Sequence, residues 1–313
     1  FNGVEWRQFT YNQGQSGRGA FAGMENPARA TVDYIQISTL GNAKDFGDLT
    51  DDGTQRERGM GCSSATRGFS IGGRTPTVKD IIDYATLASA GNSIDFGDLN
   101  VAQWYGAACS SSTRGISAGG RAPSLSNVMQ YIEMGTLGDA LDFGDLSTAR
   151  ERLGALSSTT KGIWGGGYDN GSGSPPLSII DSVTIASKGD AVRFGELDNE
   201  SDALSGCSNN TTGLWVGGTG KTAGNWDVIR SMSLASGGLT QYFGDLIGTG
   251  NNNPGSLASQ TRGVFAGGGN PTVNTISYVQ ISTSGNSQDF GDLTVERRFA
   301  VGWSDSHGGL GGF

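Results

Sequence analysis

The sequence predicts an all-β chain folded as one closed β-propeller of six blades, each a meander of four antiparallel strands. Three observations predict it. The tetrad Phe-Gly-Asp/Glu-Leu recurs at Phe46, Phe96, Phe143, Phe194, Phe243 and Phe290, in steps of 50, 47, 51, 49 and 47 residues. A second block, Ser-Ser-x-Thr-Arg-Gly followed by an apolar pair and Gly-Gly, is clearest at 63–73, 110–120 and 157–166. Its glycines after the basic position, Gly19, Gly68, Gly115, Gly162, Gly213 and Gly263, again number six. Each repeat also divides into four short β-branched or aromatic runs separated by Gly, Ser, Asn or Asp, which is the layout of a propeller blade.

Blade 2 shows the elements in order. Strand A is expected at 59–64, B at 68–72, C at 81–87 and D at 94–99. After the sixth tetrad, the segment 299–304 (Phe-Ala-Val-Gly-Trp-Ser) matches strand A better than anything before Arg18 does. The C-terminus is therefore expected to supply the inner strand of blade 1, whose other strands come from the N-terminal side. Such a seam leaves no open edge in the ring. Residues 1–13 are left as an arm and 14–313 as a single propeller. The chain does not open with Met, so the sequence is read as processed or as part of something longer.

Composition bounds the function. The formal net charge is -9, only 16% of residues are charged, and the acids are scattered without a basic patch. Phosphate binding needs clustered Lys and Arg, so a nucleic-acid partner is not expected. No apolar stretch approaches the roughly 20 residues that cross a bilayer as a helix, so no membrane insertion is expected.

Several motifs tempt and fail on context. Asp45-Phe46-Gly47 spells a kinase metal-binding tripeptide, but it recurs around the ring without a catalytic-loop His-Arg-Asp. A blade-packing Phe followed by a turn explains it better, with Gly supplying unusual backbone angles and Asp bonding the local backbone. The Gly-Lys-Thr at 220–222 has Trp215, not Gly, where a P-loop needs its first glycine. Cys62, Cys109 and Cys207 occupy one repeat position that elsewhere holds Leu156, Leu257 and Trp303, so they read as small core residues, reduced and separate. His307 is the single histidine, and any Ser/His/Asp arrangement would have to form at the C-terminal seam. No cofactor or metal is expected, and repeated acid pairs such as Asp45 with Asp48 read as turn bonding rather than calcium ligation.

The repeats also align with one another. The basic residue opening strand B and the residue before the strand D Phe run Arg18 with Asp45, Arg67 with Asp95, Arg114 with Asp142 and Arg262 with Asp289, while blades 4 and 5 carry Lys161 with Arg193 and Thr212 with Tyr242. The correlation predicts an ion pair inside each Arg-bearing blade. In those same two blades the strand C Tyr becomes Ser182 and Ser231, and strand B gains Trp164 and Trp215, an exchange of volume between neighbouring strands. The loops vary at one end only. The B–C and D–A connections share a face, and the stretches 167–176, 220–226 and 248–254 fall there. Variable loops on a rigid scaffold are where recognition resides, which singles out Tyr168, Trp226, Asn251, Asn252 and Asn253 as ligand-contacting candidates.

The Gly-Gly closing strand B, the Tyr inside strand C (Tyr34, Tyr84, Tyr131, Tyr278) and the aromatic in strand D resemble the kelch repeat over nearly the whole chain, with Phe where kelch units usually carry Trp. The wording Thr-Arg-Gly-x-x-x-Gly-Gly, Ile-Asp-Tyr and Gly-Asn-x-x-Asp-Phe-Gly-Asp-Leu is also similar to repeats carried by structural proteins of marine bacteriophages, including those of cyanobacteria. That resemblance implies a non-enzymatic virion component, such as a tail fibre, adhesin or capsid appendage, with other virion proteins and a host-surface glycan or receptor as partners. The alternatives are a purely architectural spacer and a sugar-active or oxidative enzyme on a kelch-like ring.

Overall fold

The computed structural model describes residues 17–23, 30–50, 56–169, 176–220, 227–248, 253–269 and 271–311. Among them lie six antiparallel sheets. Blade 2 runs Met60–Ser63, Arg67–Ile71, Ile81–Thr86 and Ile94–Asp98, from strand A to strand D. Blade 3 runs Ala107–Ser110, Arg114–Ala118, Val128–Glu133 and Leu141–Asp145. Blade 4 runs Gly154–Ser157, Lys161–Gly165, Ile179–Thr184 and Val192–Glu196. Blade 5 runs Ser201–Ser208, Thr212–Gly220, Val228–Ser233 and Gln241–Asp245. Blade 6 runs Gly255–Ala258, Arg262–Ala266, Thr275–Gln280 and Gln288–Asp292.

Blade 1 is the seam. Arg18–Ala22, Thr31–Gln36 and Lys44–Asp48 are its outer strands, and Val301–Ser304 pairs antiparallel with the first of them through Gly19↔Ser304 and Ala22↔Val301. The expected C-terminal closure is therefore present. Trp303 is fully buried there, and its indole N–H donates to the Phe69 carbonyl of blade 2 at 2.8 Å. The proposed arm, 1–13, lies outside the described residues.

The longest repeated phrase works as an adhesive between blades. The Gly-Asn half of Gly-Asn-x-x-Asp-Phe-Gly-Asp reaches back to the Phe-Gly-Asp half of the preceding blade. Gly91 N–H donates to the Phe46 carbonyl and Ser93 N–H to the Asp48 carbonyl, while Asn92 accepts from Asp48 N–H. The same set recurs from Gly138 to Phe96, Gly189 to Phe143, Gly285 to Phe243 and, across the seam, Gly41 to Phe290. Between blades 4 and 5 the contact becomes a short parallel pairing of Gly238–Leu239 with Gly195 and Glu196. The outermost strands thus keep few bare backbone groups, which blunts the edges of the blades. Gly47 shows why glycine is needed there. Its φ is +144°, and a Cβ at that position would sit 2.6 Å from the Gly91 carbonyl group. Asp45 accepts from Gly47 N–H at 3.2 Å, the local turn bond expected of it. Phe46 packs in one cluster with Ala85 and Leu87 of blade 2.

The ion pairs predicted inside the blades are not formed. Among the described residues no contact within 4 Å joins Arg18 to Asp45, Arg67 to Asp95, Arg114 to Asp142 or Arg262 to Asp289. Each arginine instead lies over the strand C Tyr of its own blade, 4.5 to 4.9 Å from the ring centre. From there it donates onward to the next blade: Arg18 to the Leu87 carbonyl, Arg67 to Met134, Arg114 to Ile185 and Arg262 to Ile37, at 2.8 to 2.9 Å. The ring stands between the arginine and strand D, so the guanidinium is steered across the gap between blades. The arginine column follows the tyrosine column: blades 4 and 5 carry Ser182 and Ser231 in place of Tyr, and there Lys161 lies over the strand D Phe194 instead. The volume exchange also runs between blades and not within one. Trp164 lies opposite Asp181, so it faces away from Ser182, whose partner across the ladder is Ile163. Ile163 packs with Trp215 of blade 5.

A different pair of repeat positions carries the buried charges. Arg150 meets Asp181 at 2.9 Å with both side chains fully buried, and Arg297 meets Asp33 at 2.8 Å in the same way. Arg56 pairs with Asp83 in blade 2. In each case an arginine four residues before strand A binds the strand C Asp of the same blade, pinning the D–A connection to the sheet. Thr50, Ser147 and Thr294, which follow the tetrad, add hydroxyl donors to those carboxylates. Blade 3 replaces the ions by an amide pair, Gln130 donating to Gln103 at 3.2 Å. Blade 5 reverses the polarity, with Arg230 on strand C and Asp198 after the tetrad. Burial pulls the Arg150 guanidinium below its ordinary range, and Asp181 opposes that shift.

Candidate functional site

The six inner strands enclose a channel whose two ends differ. Its wall is made of small residues, Gly61, Ala108, Ala155, Gly206, Ser256 and Gly302, one per blade, which leave a cavity of about 160 Å³. That is room for several waters or one small ring-sized molecule.

The end formed by the A–B turns is stapled and plugged. Ser63 Oγ donates to the Ser304 carbonyl and accepts from Ser304 N–H, and Ser110 and Ser208 make the same double link to Ser63 and Ser157. The chain then leaves strand A of blade 1 and passes beneath the channel as a short 3₁₀ turn, Gly308–Leu310. His307 sits against the floor. Its Nε2 donates to the Ser63 carbonyl at 2.7 Å, which leaves Nδ1 as the acceptor for Gly309 N–H at 3.1 Å. Both nitrogens are engaged with backbone, so the imidazole is not set up as a general base. Burial lowers its pKa to about 4, with the Ser63 bond opposing. Cys62, Cys109 and Cys207 are free, buried and separate, as the repeat alignment predicts. Burial pushes the Cys62 and Cys207 thiols up to about 12. Among the described residues no group of three His, Cys, Asp or Glu side chains is placed to hold a metal ion.

The opposite mouth, on the face of the B–C and D–A connections, is built differently. The residue two positions before strand A is Arg58, Tyr105, Arg152, Asn253 or Phe299, the equivalent in the longer strand A of blade 5 is Ala203, and all six have left-handed backbone with φ between 54° and 61°. Side chains rarely adopt this region, and it persists only where surroundings enforce it. Here the enforcement is a chain of hydrogen bonds around the channel. Tyr105 N–H donates to Arg58 O, Arg152 to Tyr105, Ala203 to Arg152, Asn253 to Ala203 and Phe299 to Asn253, at 2.7 to 3.2 Å. The sequence alignment of the blades contains this position, but its varied residue types hide the shared backbone angle.

Blades 1 to 4 place large side chains on this ring, whereas blades 5 and 6 place Ala203 and Asn253. Trp104 and Tyr105 stack at 4.4 Å, and Phe299 meets Tyr105 at 5.5 Å. The Arg58 guanidinium lies among these rings, 4.4 Å from the centre of Tyr105 and 5.4 Å from those of Trp104 and Phe299. Arg152 lies over Tyr105, Arg74 over Trp104 and Arg298 over Phe299. Arg152 also reaches Asp202 at 3.3 Å, and Arg121 bonds Glu151 at 2.8 Å. Burial pulls the Arg58 pKa down, and neighbouring Arg152, Arg298 and Arg74 add to the effect while Tyr105 opposes it. The Tyr105 hydroxyl is raised by burial, so it stays protonated at neutral pH.

Of the residues singled out from the sequence, Tyr168 and Asn253 fall at this mouth. Tyr168 is half-buried and bridges Glu151 through paired backbone hydrogen bonds, at the repeat position that holds Arg74 and Arg121 in blades 2 and 3. Asn253 lines the cavity directly. Trp226, Asn251 and Asn252 lie outside the described residues. Sequence reasoning missed Arg58, Tyr105, Arg152 and Phe299.

The fold and site together define a six-bladed propeller with one plugged end and one cationic, aromatic mouth. No protein family matches the chain, and no curated protein is similar to it.

Proposed function

We propose that the protein is a non-enzymatic recognition module of a virion, of the tail-fibre, adhesin or capsid-appendage kind, presenting the B–C and D–A face of the ring to a host-surface glycan or receptor. The observation that carries this reading is the asymmetry of the two ends. The A–B end repeats one serine staple and is plugged by the chain's own C-terminal turn. The other end is individual in every blade, opens on the cavity and collects aromatic and arginine side chains, the residue types that dominate binding hot spots. The virion setting, with other virion proteins as partners, is supported by the similarity of the repeat wording to phage structural proteins.

A glycan array probed with the full chain, alongside binding to intact bacterial cells, tests it. Retention on a defined glycan or on cells, weakened about tenfold by Tyr168→Ala, is the expected result. Absence of any glycan or cell binding, with assembly into particles intact, would leave the architectural reading in its place. Turnover of a bound saccharide would favour the enzyme.

A further inference from the structure

Resting on the recognition reading, we propose that the channel mouth binds the terminal, carboxylate-bearing sugar of an acidic glycan, with Arg58 and Arg152 on the carboxylate and the half-buried Phe299 ring against the sugar.

Charge points this way first. The chain as a whole is acidic, with a net charge of -9. Yet among the described residues the mouth gathers Arg58, Arg74, Arg121, Arg152 and Arg298 against Glu57, Glu151 and Asp202, with Arg121 and Arg152 paired to these acids and Arg58, Arg74 and Arg298 set over aromatic rings. Clefts of one sign concentrate ligands of the other. Glu57 is itself raised by burial in spite of Arg74 and Arg298 nearby. The positive groups are also arginines, whose planar fork matches a carboxylate through two parallel hydrogen bonds. Stacking on three rings fixes the plane of Arg58, which lowers the ordering cost of such a contact.

Shape and polarity narrow the ligand to a sugar. Across from the aromatic and arginine wall stand Ala203 and Asn253, and the cavity of about 160 Å³ opens between them. Below the mouth, the Ser256 hydroxyl donates to the Gly206 carbonyl at 2.8 Å and accepts from the Ser205 hydroxyl at 2.7 Å, so the pair offers acceptor lone pairs, and with the Asn253 amide these are partners for ring hydroxyls. The half-buried Phe299 ring together with that polar wall suits a pyranose, which has apolar C–H faces and a polar rim.

The closed floor selects a chain end. Because His307 and the 3₁₀ turn cross the far end of the channel, a polysaccharide cannot thread through, and only a terminal residue can enter. The six left-handed positions are joined by a chain of five backbone hydrogen bonds that needs no ligand, so the site is pre-formed.

Calorimetric titration of the full chain with glucuronic acid, with glucose as the neutral counterpart and sodium sulfate as a bare anion, provides the test. Glucuronic acid should bind at least about tenfold more tightly than either. Arg152→Gln should remove most of that affinity and Arg152→Lys part of it, while Arg114→Gln, at the opposite end of the ring, should leave it unchanged. Circular dichroism melting of each variant separates lost binding from lost folding, and Asn253→Ala, which removes a partner for the ring hydroxyls and should weaken glucuronic acid binding about tenfold, serves as a second probe if Arg152→Gln unfolds, unaltered binding in it then overturning the proposal. Equal binding of sulfate would mean an adventitious ion only and overturn the proposal, as would equal binding of glucose or an unaltered Arg152→Gln. If the array shows neutral glycans bound while glucuronic acid is ignored, this assignment fails and the recognition reading stands. If nothing binds on the array, on cells or in the calorimeter, both fail.

Discussion

The two ends of the channel are made from the same six strands, yet they have opposite characters. At the A–B end the residue leaving strand A is Ser in five blades, Ser63, Ser110, Ser157, Ser208 and Ser304, and the hydroxyls of Ser63, Ser110, Ser208 and Ser304 stitch neighbouring blades together. At the other end the residue entering strand A is different in nearly every blade, and only its backbone angle is shared. The comparison teaches that closure is enforced twice by unlike means. One end uses side-chain hydroxyls, which fixes the residue type. The other uses main-chain hydrogen bonds, which frees the side chain to diversify. A repeat protein can keep its ring and vary its site only if the bonds at the site do not depend on side chains.

Removing the last 15 residues is the most severe way to break the comparison. It takes away strand A of blade 1, Trp303 and the His307 plug in one step. The ring should lose its cooperative melt and aggregate through the bared edge of Arg18–Ala22, as read by scanning calorimetry and size-exclusion chromatography. A soluble, cooperatively melting truncation would show that closure does not depend on the seam.

Asp181→Ala comes next. It leaves Arg150 buried without its carboxylate, so a loss of about 3–5 kcal/mol is expected in denaturant unfolding. The molecule supplies its own control, since blade 3 holds the same positions with Gln103 and Gln130. The double variant Arg150→Gln with Asp181→Gln should recover most of the loss. If it is no more stable than Asp181→Ala, the amide and ionic versions are not interchangeable anchors of the D–A connection.

Acidification sharpens the comparison through the histidine of the plugged end. His307 has a folded pKa lowered to about 4, against roughly 6.5 when unfolded, so between those values the unfolded chain binds the additional proton. Its contribution is complete above pH 6.5 and is lost as pH falls toward 4, amounting to at most about 3 kcal/mol. Denaturant unfolding from pH 7 to 4 should show this slope, reduced in His307→Gln, whose amide can still donate to the Ser63 carbonyl. An identical slope in the variant would place the acid sensitivity elsewhere.

Much of the architecture was legible in the chain because it is written six times. The tetrads counted the blades, and Phe299 to Ser304 revealed the seam by its likeness to strand A. The position of the cysteines identified them as core residues. Comparison of blades also exposed real couplings, but it misassigned one: Arg67 covaries with Asp95 along the sequence while physically stacking on Tyr84 and bonding Met134 of the next blade. Covariation reports shared environment as readily as contact. The same comparison held the buried Arg–Asp columns at Arg150 and Asp181, which became conspicuous only once burial was known.

The sequence by itself determined the number of blades, the strand order, the closure and the face on which variation falls, because these follow from periodicity and pattern. Tertiary structure alone decided where Arg58, Tyr105, Arg152 and Phe299 meet. They stand one or three repeats apart along the chain and are two arginines, a tyrosine and a phenylalanine, so no repeated residue type marks them. They converge because each is the entry point of an inner strand, and inner strands from successive blades are brought side by side around one axis. The left-handed backbone that aims them at the mouth is imposed by hydrogen bonds to the neighbouring blade, an influence that has no counterpart in the local sequence.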